Sequence, residues 1–459
     1  MLLSRRRFLH GLAVAPFLGQ RAEDQGNWPA FRGLHGRGVA DGFPVRASWN
    51  ADETLGKIDG VRWRSNVPGL GHSSPVLWGD RIFVPSAIAS EGRAPLKVGG
   101  DAGVDRSTWA GSTDAAEDKG EQQWVVLCYD KKSGREIWRE TARTGRPLST
   151  RHAKATHANT SLATDGRNLV AFFGSEGLYC YDLDGRLLWS RDLGIVNVSK
   201  YGIGWGYGSS PSIHQNRIAL QCDDPDNPYL AVLDLSDGKE IWRVSRKGVS
   251  ERSWGTPLIH VGPNRTQVVT NSWPWIVSYD LETGEEFWRL GGGGDNPIPS
   301  PFAANGWIYI TSSHGSEAPI FAVDPDASGD ITPAGRTGAS DSMLWHASRG
   351  GSYISTPVVY RGYIYFGYVT GVVRCFDAKT GKRMYEKRLD PGAAISSSLV
   401  AADGKVFCPS ENGYVYVLEA GPTYNLLTRN SVGEPCFATP AVSGGTLYFR
   451  TTGSLIAIG

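Results

Sequence analysis

Tyr279-Asp280-Leu281-Glu282-Thr283-Gly284-Glu285-Glu286-Phe287-Trp288 decides the fold. An aromatic-Asp pair closes one β run, a glycine-containing turn reverses the chain, and a second run carries a tryptophan. The phrase recurs. Tyr129-Asp130, Tyr181-Asp182, Leu233-Asp234 and Phe376-Asp377 lead through Gly134, Gly185, Gly238 and Gly381 to Trp138, Trp189, Trp242 and Tyr385.

A second phrase lies upstream of each copy. A small polar residue, usually followed by proline, opens an alternating strand. Its instances are Ser74-Pro75, Thr160-Ser161, Ser210-Pro211, Thr256-Pro257, Ser300-Pro301, Thr356-Pro357, Ser397-Ser398 and Thr439-Pro440. Hairpin signals such as Trp78-Gly79-Asp80, Asn305-Gly306 and Ala402-Asp403-Gly404 follow, then a second β run such as Trp307-Ile308-Tyr309-Ile310. Successive anchors are 86, 50, 46, 44, 56, 41 and 42 residues apart. Four short strands every 40–50 residues is the period of a propeller blade. The two long intervals contain residues 87–120 and 325–341, both polar and turn-rich, which read as long loops.

The eighth unit stops after its third strand, at Leu455-Ile456-Ala457-Ile458. An unassigned strand near the start, Val61-Arg62-Trp63-Arg64-Ser65-Asn66-Val67, carries Trp63 where a fourth strand would carry it. The expected fold is therefore all-β: an eight-bladed β-propeller of four-stranded antiparallel blades. The N-terminal strand closes the last blade and removes an open sheet edge. The propeller spans 61–459, preceded by an extension over 23–60. Each fourth-strand Trp is expected to cover the face of the next blade.

Composition agrees. The chain has 459 residues, 58 of them glycine and only 3 methionine. Lys and Arg number 47 against 46 Asp and Glu, which gives no basic surplus for nucleic acid. No apolar run is long enough to span a membrane. Ser4-Arg5-Arg6-Arg7-Phe8-Leu9-His10, followed by the apolar run Gly11 to Gly19, reads as a twin-arginine-type export signal over residues 1–22. It predicts a periplasmic or secreted protein, expected to be a monomer. Six cysteines in an exported protein invite disulfides. Yet Cys128, Cys180 and Cys375 hold equivalent positions in different blades, as do Cys222 and Cys408, too far apart to bridge. Six buried unpaired thiols are expected, Cys436 included.

These repeats resemble those of the pyrroloquinoline-quinone-like (PQQ-like) β-propeller family. Asn27-Trp28-Pro29-Ala30-Phe31-Arg32-Gly33 is similar to the start of many exported bacterial members. The resemblance covers about residues 27–459. It implies the fold more than one activity: some relatives are quinoprotein dehydrogenases of alcohols or sugars. Others bind no quinone, among them the periplasmic propeller subunit of the outer-membrane β-barrel assembly machinery. Such dehydrogenases carry two adjacent cysteines over the quinone, and no two cysteines are adjacent here. The assembly subunit is lipid-anchored, and no cysteine precedes Cys128.

Candidate site residues follow from the repeat. Side chains just before each anchor start the innermost strands and converge on one mouth of the central channel. They are His72, His157, Tyr207, Trp254, Tyr353 and Phe437, with His152 and Trp205 on nearby loops. Imidazoles, indoles and phenols together suit a flat cofactor or a sugar ring; the bland alternative is that they plug the channel. Arg151-His152-Ala153-Lys154-Ala155-Thr156-His157 reads as a solvated loop, with anion or two-histidine metal binding as alternatives. Asp223-Asp224-Pro225-Asp226-Asn227 reads as a solvated acidic turn, with Ca²⁺ as the alternative. The functional expectation is a non-enzymatic scaffold with a protein, small-molecule or glycan partner and no cofactor or metal. A PQQ and Ca²⁺ dehydrogenase of alcohols or sugars and a polysaccharide-binding propeller are the competing readings.

Overall fold

A computed structural model describes residues 26–98, 115–200, 203–314, 317–335 and 337–459. The export motif over 1–22 lies outside them. Eight sheets follow one another, each built on four antiparallel strands that stand in sequence order except in the last, where the N-terminal strand takes the outer place. Blade one comprises Val76–Trp78, Arg81–Ala89, Gln122–Asp130 and Glu136–Gly145. Blade eight comprises Ala441–Ser443, Thr446–Arg450 and Ser454–Ile458, completed by Val61–Asn66. Val61 faces Ile458 and Asn66 faces Ser454, so the ring closes as the truncated last repeat requires.

The repeated residues join blade to blade. The backbone N–H of each anchor donates to the hydroxyl of the next: Ser74 to Ser161, then Ser210, Thr256, Ser300, Thr356, Ser398 and Thr439, at 2.8–3.1 Å. A hydroxyl is needed at the anchor because a buried N–H of the preceding blade has this oxygen as its acceptor.

The tryptophans make the second link. Nε1 of Trp63, Trp138, Trp189, Trp242 and Trp345 donates to the carbonyl that follows the third-strand Asp of the next blade, at 2.9–3.1 Å. The ring lies against the turn glycine there. Gly238 has φ 68°, and a methyl group on it would fall 2.5 Å from the Trp189 ring. Glycine is thus demanded twice, by conformation and by contact. The cysteines sit opposite these aromatics in the ladder: Cys128 faces Trp138, Cys180 faces Trp189 and Cys375 faces Tyr385. All six thiols are unpaired and buried, and burial pushes the Cys180 thiol up to about 12.

Three junctions depart from the rule. Blade five replaces the Asp-glycine turn by its insertion, and Trp288 turns its Nε1 to Gln267 Oε1 of its own blade, 3.3 Å away. Tyr385 of blade six meets Tyr424 of blade seven edge-on at 5.7 Å. Blade seven has no fourth-strand tryptophan, and Trp49 of the N-terminal extension packs between Phe407 and Phe449 instead.

The two insertions are not plain loops. Within 325–341, Gly329–Asp330 adds a parallel strand to blade four and Thr337–Ser340 an antiparallel one to blade five. In the other, strand two runs on to Ala89 and pairs residue by residue with 122–130, while Ala115–Ala116 pairs with Arg151–His152. Their polar composition conceals extra ladder, because an added edge strand needs no apolar face.

Residues 26–60 cross from the inner strands to the rim. Trp28 bridges Leu77 of blade one, Val39 bridges Ala401 of blade seven and Asn50 bridges Ser431. Between them Arg32 reaches inward and donates to the carbonyls of Thr356, Pro357 and Leu399.

Candidate functional site

The mouth at the starts of the inner strands is closed by a crosspiece. Arg151-His152-Ala153-Lys154 lies on the connection from blade one into blade two, and the Lys154 ammonium lies 3.0 Å from the Glu411 carboxylate of blade seven, 257 residues away in sequence. The Glu411 side chain is fully buried and also accepts from Ser396. Arg32 approaches the axis from the opposite end of the short inner strands. The channel is therefore occupied from both sides by the protein's own cations.

Most of the expected mouth residues form an arc of ring contacts. His72 stacks on Phe437 at 4.5 Å across the junction of blades one and eight. His152 meets Trp205 edge-on at 6.1 Å, and Trp205 meets Trp254 at 6.0 Å. Tyr353 stacks on His314 at 5.6 Å. The rings contact one another, two pairs face to face, which leaves less aromatic surface for a guest.

Two candidates turn elsewhere. Tyr207 packs on Phe172 at 4.8 Å in the core between blades two and three, and its hydroxyl donates to the Gln221 carbonyl at 2.9 Å. His72, Trp254 and Phe437 stand two residues before their anchors, whereas Tyr207 stands three before Ser210. Tyr353 also stands three before its anchor, Thr356, and stays against His314, so the offset alone does not decide; beside Tyr207 the chain bends at Gly206, with φ 77°.

His157 lies with its Nε2 3.0 Å from Asp118 Oδ2. Arg151 Nε donates to the same carboxylate at 2.7 Å and Nη1 to the Ala155 carbonyl at 2.9 Å. Arg151 is only 1% exposed. The solvated-loop expectation for 151–157 is thus corrected: the segment is pinned by an acid from the blade-one insertion. Burial alone would raise the Asp118 carboxyl, but His157 and Arg151 hold it well below the usual carboxylate range. Glu176, the second acid beside this cluster, accepts from Leu148 N at 2.9 Å, and burial raises its carboxyl. Arg151, Thr156, His157, Ser175, Glu176 and Tyr207 help line a cleft of about 20 Å³ open to a water-sized molecule. That admits a water and little more.

The acidic turn is corrected likewise. Asp223 is fully buried in an ion pair with Arg246 at 2.8 Å, and Asp224 accepts from Asn197 N at 2.7 Å. Both carboxylates serve the chain itself. No group of three or more metal-ligating side chains stands together among the described residues.

Sequence reasoning missed Asp118, Glu176, Glu411 and His314. Asp118 lies in an insertion outside the repeat, and Glu411 finds Lys154 only through ring closure. Neither relation has a spacing to read.

The comparisons with known proteins agree with this architecture. A family model described as outer membrane protein assembly factor BamB matches residues 121–247 and 226–458. The outer membrane protein assembly factor BamB of Burkholderia pseudomallei is 32% identical over 119 residues, 25% of this chain and 30% of that relative's length. Among solved structures, BamB from Moraxella catarrhalis superposes with a TM-score of 0.54 at 14% identity, covering 82% of this chain and 98% of that one. The quinohemoprotein alcohol dehydrogenase of Comamonas testosteroni gives 0.61 at 12% identity, covering 95% and 81%. The quinohemoprotein alcohol dehydrogenase ADHIIG of Pseudomonas putida HK5 gives 0.62 at 12%, covering 97% and 82%. At such identities the solved structures establish the propeller fold alone, while the family match runs through most of the chain: the protein belongs to the BamB-like family of PQQ-like repeat propellers.

Proposed function

We propose that this chain is an exported, non-enzymatic propeller that binds protein partners on its outer surfaces and serves the assembly of outer membrane proteins. The observation that carries the reading is the closed channel. Lys154 and Glu411 bridge one mouth and Arg32 enters from the other end, so recognition falls to the rim and the loops. The name of the matching family supports the assembly role. Among the described residues no helix is long and apolar enough to cross a membrane.

The residues at the mouth do not fit a quinone with Ca²⁺. A flat cofactor needs a free ring face and a slot, whereas His72 and Tyr353 stack on Phe437 and His314 and the cleft beside His157 is water-sized. The carboxylates of Asp118 and Glu411, which a calcium ion would use, already neutralise Arg151 and Lys154. A glycan on the aromatic arc meets the same obstacle.

The assembly role is tested by deleting the gene and quantifying β-barrel proteins in the outer membrane. The reading expects a reduced amount, restored by the wild-type gene; unchanged amounts overturn it. Export is tested by replacing Arg5 and Arg6 with Lys. Retention in the cytoplasm is expected, and unaltered export contradicts the twin-arginine route.

A further inference from the structure

The charges at the junction of blades eight and one do not balance. Arg450 ends the strand Thr446–Arg450, opposite Leu455. It is 1% exposed, and among the described residues its Nε, Nη1 and Nη2 have no hydrogen-bond partner. The other deeply buried arginines differ. Arg32 donates to five carbonyls, Arg151 holds Asp118, and Arg246 holds Asp223 with Thr270 and Tyr279.

Glu434, the acid among the described residues whose charge acts on Arg450, is already engaged in four hydrogen bonds. Glu434 Oε1 accepts from Arg64 at 3.0 Å and from Ser454 at 2.6 Å; Oε2 accepts from Thr451 at 2.5 Å and from Gly453 N at 2.9 Å. Asp118 serves Arg151 and His157, and Glu411 serves Lys154. The Tyr129 hydroxyl points to the Asn66 carbonyl. Burial lowers the Arg450 guanidinium to about 10, so it keeps its charge at neutral pH. A full cation in the interior with no hydrogen-bonded counter-charge is among the costliest arrangements a fold can hold.

Two further polar atoms at the start of blade one lack partners: Ser73 Oγ on a fully buried residue, and Nε2 of His72. The His72 imidazole senses Arg450, because burial first and then the charges of Arg450 and Arg151 push it down to about 3. Cationic potential and polar atoms without partners among the described residues thus meet at this junction.

We propose that Arg450 holds a small inorganic anion of halide size at the inner end of the blade eight–blade one junction. The complete burial of the guanidinium favours a monoatomic ion over an oxyanion or a carboxylate-bearing guest. The ion would tie the last-closed junction of the ring, where Val61–Asn66 completes the sheet, to the channel wall.

The test uses the full mature chain. Melting temperature is followed as sodium bromide replaces sodium gluconate at constant ionic strength, for wild type and for Arg450→Met. Crystals grown in bromide are examined for anomalous scattering. The proposal expects a saturable rise in melting temperature for wild type, none for Arg450→Met, and an anomalous peak within hydrogen-bonding distance of the guanidinium. Equal salt responses in the two proteins, or water density without anomalous signal at Arg450, overturn it. If Arg450→Met does not fold, the anomalous map of the wild type decides in the same terms.

Discussion

The outer rim and the channel mouth are built by different rules. At the rim, the tryptophan of one blade meets the turn of the next, and five of the junctions use the same donor, acceptor and glycine. At the mouth every contact is individual: a lysine meets a glutamate 257 residues away in sequence, and an insertion supplies the acid that holds Arg151. The rim is repetition that makes a ring; the mouth is closure of a ring already made. The difference teaches where function can reside. A site whose residues pair with one another stiffens the scaffold, and partners must be met outside it.

The largest expected effect breaks the rim. Trp242→Ala removes a large indole and leaves the Leu281 carbonyl without its donor, and about 3–5 kcal/mol of stability should be lost. Denaturant unfolding checks this. Tyr385→Ala, at a junction that lacks the indole link, should cost less. Equal losses would mean that the rim rule carries no special weight.

At the mouth, Lys154→Met strands the buried Glu411 carboxylate and should cost about 3 kcal/mol. The double variant with Glu411→Gln should regain much of that loss. A double-mutant cycle gives the coupling, and additivity of the two changes would deny the crosspiece.

The hydroxyl chain between anchors can be sharpened by Thr256→Val against Thr256→Ser. Valine leaves Ser210 N–H without an acceptor and should cost about 1–3 kcal/mol, whereas serine should be close to neutral. Thermal melts distinguish them.

The smallest effect is in pH. His72 is lowered from 6.5 to about 3 in the native state. Above 6.5 it is neutral in both native and unfolded chains. As pH falls from 6.5 toward 3, the unfolded chain takes up a proton that the native one refuses, so stability declines across that window. His72→Phe, which keeps a ring against Phe437, should flatten the slope of stability between pH 6.5 and 3 in halide-free buffer. An unchanged slope would place the titration elsewhere.

What could be read in advance follows the same division. Eight blades, the closing strand and the six free thiols were legible because each rests on a local phrase repeated at fixed spacing. Trp49 was within reach: blade seven lacks a fourth-strand tryptophan, and the extension holds one unassigned. The anchor hydroxyls were visible as a pattern, but their partner lies one blade away and only the ring reveals it. Asp118, Glu411 and the unpaired Arg450 were not legible. Their meaning lies in contacts between distant segments, and burial of a charge cannot be seen in a residue name. Tyr207 shows the finest limit, since its distance from the anchor equals that of Tyr353 and yet it packs in the core.

The account stands on a channel filled by its own side chains. Equilibrium dialysis of the purified mature protein against pyrroloquinoline quinone and Ca²⁺, followed by absorption of the retained quinone, tests this most directly. The account predicts no quinone held above the free concentration; retention approaching one quinone per chain would contradict it.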